Sequence, residues 1–164
     1  PGFLWDGGAP LDVRLIIFGS GGTLLDFDAT YLVALRECAE AIAVAAGEPA
    51  LAPALLKAGG WQETDKGPIA APGSIMRRGT NHELAQLWID SQPMVAARWQ
   101  QDAAALRAEM HEALLRTTAR DATALGSARK ALDEFRAAGI HLAVVTNDDE
   151  ALARAQFRAL GWDE

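Results

Sequence analysis

Two short stretches hold residue types that could bind or transform a ligand. Gly19-Ser20-Gly21-Gly22-Thr23 follows the apolar run from Val13 to Phe18. Thr146-Asn147-Asp148-Asp149 follows a second apolar run, Ile140 to Val145. Glycines let the backbone turn sharply and bring its N–H groups close to a ligand. A hydroxyl such as that of Thr146, beside a helix start, suits an anion. In open α/β sheets ligands bind just past the carboxyl end of such a strand, so residue 19 onward is the first place to look for chemistry.

Other chemistries for the glycine cluster fail on spacing. A dinucleotide fingerprint needs glycine where Leu24 stands, and a P-loop needs Gly-Lys-Ser/Thr, which does not follow. A nucleophile elbow around Ser20 needs glycine at Phe18, and the upstream oxyanion motif is missing. A Ser20-dependent α/β hydrolase therefore ranks last among the alternatives. Asp26 and Asp28 form a D-x-D after the turn, where helix capping competes with a chemical role. His82, His111 and His141 show no metal-ligand spacing. Lys66, Arg77 and Arg78 form the one basic cluster of a Gly/Pro-rich stretch, which is either a solvated loop or a contact for a substrate carboxylate. Taken without its flanks, the glycine cluster reads first as a structural turn, and Thr146 is equally readable as the end of a strand.

The elements that must position these residues follow from pattern. Residues 1–12 lack any period and read as an arm, with Phe3 or Trp5 packed on a neighbour. Residues 13–18 and 140–145 are short apolar, β-branched runs bounded by turn signals, the pattern of buried strands. Leu32, Leu35, Ala39, Ile42 and Ala43 recur at helical spacing from Asp28 to about Gly47. A shorter helix is predicted over 50–58 and a long loop over 59–79. Thr80 or Asn81 caps the next helix, and Pro93 starts a long one toward Thr117. Trp61, Trp88 and Trp99 are expected in the core of this helical segment. Gly126 or Ser127 opens a helix that Gly139 closes, and Asp148 to Glu150 lead into a last helix to about Leu160. Helix, strand and helix in this order predict a parallel, layered α/β sheet.

Composition narrows the partners. The chain of 164 residues is half hydrophobic and carries a formal net charge of −7, which argues against sequence-independent nucleic-acid binding. No stretch has the 18 or so apolar residues of a membrane span. Cys38 is the only cysteine, so no intrachain disulfide can form, which fits a reducing cytoplasm. Anionic small molecules remain open as substrates.

The stretch Phe18-Gly19-Ser20-Gly21-Gly22-Thr23-Leu24 resembles motif I of the haloacid dehalogenase superfamily, Phe-Asp-x-Asp-Gly-Thr-Leu. Phe18, Gly22, Thr23 and Leu24 match, while Gly19 and Gly21 stand where the family has its two aspartates. The run His141-Leu142-Ala143-Val144-Val145-Thr146-Asn147 is similar to motif II. The helical segment between them sits where phosphoglycolate-phosphatase-like members insert a C1 cap. The resemblance implies a Rossmannoid α/β core with a partial parallel sheet (13–27 plus 122–164), an inserted helical cap (28–121) and an N-terminal arm (1–12).

It also implies roles. Gly19 and Gly21 hold the places of the family's nucleophile and acid/base, which also ligate Mg²⁺. Gly22, Thr23, Thr146 and Asn147 hold phosphate-binding places, and Arg77 and Arg78 become cap contacts to substrate. The implied activity is Mg²⁺-dependent hydrolysis of a small phosphorylated metabolite. A carboxylate nucleophile splits one hard displacement into two easier ones, and glycine supplies none. The expectation is therefore weak or absent Mg²⁺ binding and a catalytically impaired chain. The given sequence ends before motifs III and IV, so it is expected to continue past Glu164 or to be a shortened relative. The alternative is a metabolite- or partner-binding module on the same fold.

Overall fold

In the computed structural model, which describes residues 2–4 and 11–162, the two apolar runs that precede Gly19 and Thr146 lie side by side as parallel strands. In chain order the elements are β1 (Gly2–Leu4), β2 (Leu11–Val13), β3 (Leu15–Gly19), α1 (Phe27–Ala45), α2 (Ala52–Gly59), β4 (Trp61–Thr64), β5 (Gly67–Ala70), α3 (Ile75–Arg78), α4 (Asn81–Ser91), α5 (Pro93–Trp99), α6 (Ala103–Asp121), α7 (Ala128–Ala137), β6 (His141–Val145) and α8 (Glu150–Ala159). The class is the mixed α/β expected. Its packing divides into a strand unit, 1–26 with 123–146, and a helical unit, 27–122 with 147–164. The sequence-based division instead keeps 147–164 with the strands.

In the strand unit β3 pairs with β6 from Leu15 opposite His141 to Gly19 opposite Val145. Alternation then places Leu15, Ile17, Ala143 and Val145 on one face and Ile16, Phe18 and Leu142 on the other. Phe18 packs on Phe135 of α7, with ring centroids 6.2 Å apart. The opposite face is open, with Leu15 51%, Ile17 59% and Val145 67% exposed. Ser127 stands at the N-cap of α7, and Gly139, at φ +75°, ends it in the left-handed conformation expected there. β1 pairs antiparallel with β2, so part of the predicted arm is a hairpin; Trp5 and the Phe3 side chain lie outside the described residues.

The helical unit has a fuller core. Ile42, Leu55, Trp88, Val95, Leu106 and Met110 are fully buried, each worth about 1.5–3 kcal/mol by its apolar area. Trp88 also donates its indole N–H to the Leu55 carbonyl at 2.9 Å, so its one polar atom is satisfied. Trp99 is buried as expected, but Trp61 is half-buried on β4 and donates to Glu63 at 2.7 Å. Cys38 is fully buried, and burial pushes its thiol up to about 12. α4 starts with a capping box: Glu83 N–H donates to Thr80 Oγ1 and Thr80 N–H to Glu83 Oε2. No helix among the described residues is long and apolar enough to cross a membrane.

Two expectations are corrected. The predicted loop over 59–79 contains the β4–β5 hairpin and the short α3, because Thr64 Oγ1 closes the tight turn at 65–66 by donating to Gly67 O at 2.6 Å. The glycines and prolines read as loop are its turn and its edges. The long helix from Pro93 is two helices. Asp102 accepts from Ala105 N–H at 3.0 Å and starts α6 afresh as an N-cap.

Glu37 of α1 ties the two longest helices together. It accepts from Thr117 at 2.6 Å and from Arg120 at 3.1 Å, both on α6, and these bonds hold its carboxyl below the usual carboxylate range. A lowered folded pKa stabilises above the unfolded value, and the contribution is lost as pH falls through the folded one. We expect Glu37→Gln to lower the thermal midpoint at neutral pH, and the gap from wild type to close as pH drops below the carboxylate range. The side chain is half-exposed, so the effect is modest and shrinks with salt. Parallel pH–melting curves for the two proteins measure it.

Candidate functional site

The turn after β3 is built from backbone, not side chains. The Ser20 carbonyl accepts the N–H groups of Thr23, Leu24 and Leu25 at 3.1, 2.9 and 3.1 Å. Gly22 N–H returns to Leu25 O at 2.8 Å. Gly22 has φ +78°, in the left-handed region that side chains resist, so the glycine is a steric requirement. Leu24 and Leu25 are buried and anchor the exit, where Leu125 N–H donates to Leu24 O at 2.8 Å and Asp26 N–H to Thr123 O at 2.9 Å.

Gly19 is different. Its backbone is ordinary, and a Cβ there would sit 3.3 Å from Thr23 Oγ1, a tight contact with a single small side chain. Glycine at 19 is thus not demanded by the shape of the turn. Ser20 is 3% exposed, with its Oγ buried and without a hydrogen-bond partner. A nucleophilic serine needs a base within hydrogen-bond reach. Ser20 lacks one, and the serine-hydrolase alternative is dropped on that ground.

Because Gly19 lies opposite Val145, Thr146 leaves β6 at the same end of the sheet at which the turn leaves β3. Gly19, Gly21, Gly22, Thr23 and Thr146 therefore share the carboxyl end of the parallel pair. Next to Thr23 a cleft of about 390 Å³ opens between the turn and the start of α7, lined by Phe18, Leu24, Leu125, Gly126 and Ser127 among others. Its lining is mainly apolar, which makes it a poor cradle for a phosphate.

The other candidates lie in the helical unit and are engaged there. Asn147 donates its amide to the Arg78 carbonyl at 2.9 Å. Arg77 contacts Asp28 at 2.8 Å, donates to the Ala70 carbonyl at 3.1 Å and lies over the Phe27 ring at 4.7 Å. Arg78 donates to the Gly73 carbonyl at 2.6 Å. These bonds strap the hairpin segment to the start of α1. The Asp28 of the D-x-D serves this strap.

Sequence patterns missed one polar cluster. Tyr31 Oη lies 2.5 Å from Asp148 Oδ2 and 3.1 Å from Gln156 Oε1, with Gln156 fully buried and its Nε2 unpartnered. Asp149 meets His111 Nδ1 at 3.0 Å. Residues 147, 148 and 149 thus make side-chain bonds to α3, α1 and α6 in turn. The contacts join residues 38 to 117 positions apart, and no local signal marks them.

The family model for haloacid dehalogenase-like hydrolases matches residues 13–164. No curated protein and no solved structure matches the chain.

Three substitutions test the turn and the cluster. Gly22→Ala should cost about 1–2 kcal/mol, the penalty of a left-handed residue with a Cβ, and Gly19→Ala much less. Tyr31→Phe should cost about 1–3 kcal/mol, because Gln156 stays buried after losing its partner. Urea unfolding of the three variants gives both comparisons.

Proposed function

This chain belongs to the haloacid dehalogenase-like hydrolases, and we propose that its site is directed at a small phosphomonoester of the phosphoglycolate type but is catalytically impaired. The carrying observation is glycine at both 19 and 21, at the carboxyl end of β3, where the family's reaction needs carboxylates.

Phosphoryl transfer depends on in-line positioning and on neutralising charge. The turn and Thr146 retain groups of the positioning kind. A hydroxyl at 146 donates to a phosphoryl oxygen, and a glycine turn presents N–H groups to an anion. Attack is the missing part. No side chain at 19 can bond to phosphorus, and none at 21 can pass a proton to the leaving group. Ser20 does not replace them, since its hydroxyl is buried away from any base. The lone, buried Cys38 suits a reducing compartment, which supports a cytoplasmic setting.

Purified protein given p-nitrophenyl phosphate and Mg²⁺ should turn over at no more than background. Loss of a nucleophile costs on the order of 10⁶-fold in kcat in a well-studied protease, and a loss of that scale is expected here. Turnover above background that Thr146→Val abolishes would refute the proposal.

A further inference from the structure

We infer that the turn after β3 works without a divalent cation, so that any phosphate-type oxyanion it takes is held by this chain's own N–H and hydroxyl groups. The inference rests on the phosphomonoester reading above and concerns the same site. The family implies Mg²⁺, and the donor set of the turn does not fit it.

Mg²⁺ demands near-octahedral oxygen ligands, usually with one or two carboxylates among them. Gly19 and Gly21 offer none. The central carbonyl of the turn is also spent, since Ser20 O already accepts three N–H groups.

The acidic residues that follow the two strands in sequence are engaged elsewhere. Asp28 is paired with Arg77, Asp148 with Tyr31 and Asp149 with His111, each inside the helical unit. Among the described residues no group of three His, Cys, Asp or Glu is arranged to hold a metal.

Charge balance shows why an oxyanion is still admissible. Two carboxylates and one divalent cation cancel formally, so losing all three leaves the turn no more negative than before. What remains is a neutral turn whose Gly22 and Thr23 N–H groups are engaged by Leu25 O and Ser20 O, which leaves the Gly21 N–H and the Thr23 hydroxyl as its donors to an anion. Such a site binds weakly, because no full positive charge opposes the ligand.

The test uses the full chain and two probes. Mn²⁺, which prefers the same oxygen ligands as Mg²⁺, is titrated with detection of the free ion by electron paramagnetic resonance. The expected result is no site tighter than about 1 mM. A site tighter than about 100 µM that broadens the amide signals of residues 19–23 would overturn the inference. Inorganic phosphate is then titrated against the ¹⁵N-labelled chain with EDTA and, separately, with excess Mg²⁺. The expected result is equal shifts at Gly21, Gly22, Thr23 and Thr146 in both conditions. Shifts that appear only with Mg²⁺ would also overturn it. No shifts in either condition would refute the phosphomonoester reading and the oxyanion clause with it, while the Mn²⁺ titration decides the cation clause separately.

Discussion

One carbonyl holds the site in shape. Ser20 O gathers three successive N–H groups within 3.1 Å, and this fixes the reversal between β3 and the buried Leu24–Leu25 pair. Such a turn needs a glycine at 22 and two apolar anchors, and it needs nothing from the side chains at 19 and 21. Shape and chemistry are therefore separable here. Backbone bonds and apolar burial hold the turn without any carboxylate at 19 or 21. That is why a family likeness survives in a turn that lacks both carboxylates.

Stability is distributed unevenly between the two units. The helical unit buries tryptophan, leucine and methionine side chains completely, and the Thr80–Glu83 box and the Glu37–Thr117 link add polar ties. Among the described residues the strand unit has one parallel pair, with one face half-covered and Val144 on it still 40% exposed. Strands in parallel sheets are normally buried on both, and two strands make a marginal sheet. With Leu15, Ile17 and Val145 more than half exposed, the β3–β6 pair draws its support from α7 and from the buried exit of the turn. The candidate site thus stands on the less stable of the two units, and opening motions there should be the easier ones.

What the sequence discloses is what local chemistry controls. β3, β6, α1, α4 and α7 are legible because an apolar period, a cap or a terminal glycine marks each of them. Thr80 announces α4 and Gly139 ends α7 in the manner their residue types require. The β4–β5 hairpin is hidden because its prolines and glycines serve pairing and turning at once. The break before α6 was signalled only by Asp102, with no glycine or proline between Trp99 and Ala103. At the site, the glycines and Thr146 are legible by their place after apolar runs. The engagement of Asn147 by Arg78 and of Asp148 by Tyr31 is set by tertiary packing across many residues, and no window of sequence contains it.

The two glycines are best understood together. In a turn without a cation, aspartates at 19 and 21 would be two like charges held close at a strand end. Like charges at such range repel by about 1–4 kcal/mol in water-rich to partly buried surroundings, and one of the pair would be driven to protonate. Removing only one carboxylate would still leave an uncompensated charge against an incoming oxyanion. Removing both leaves the backbone unchanged, because Ser20 O and Gly22 carry the fold of the turn. Losing the cation and losing both carboxylates are thus one electrostatic change, and a turn that keeps none of the three is self-consistent.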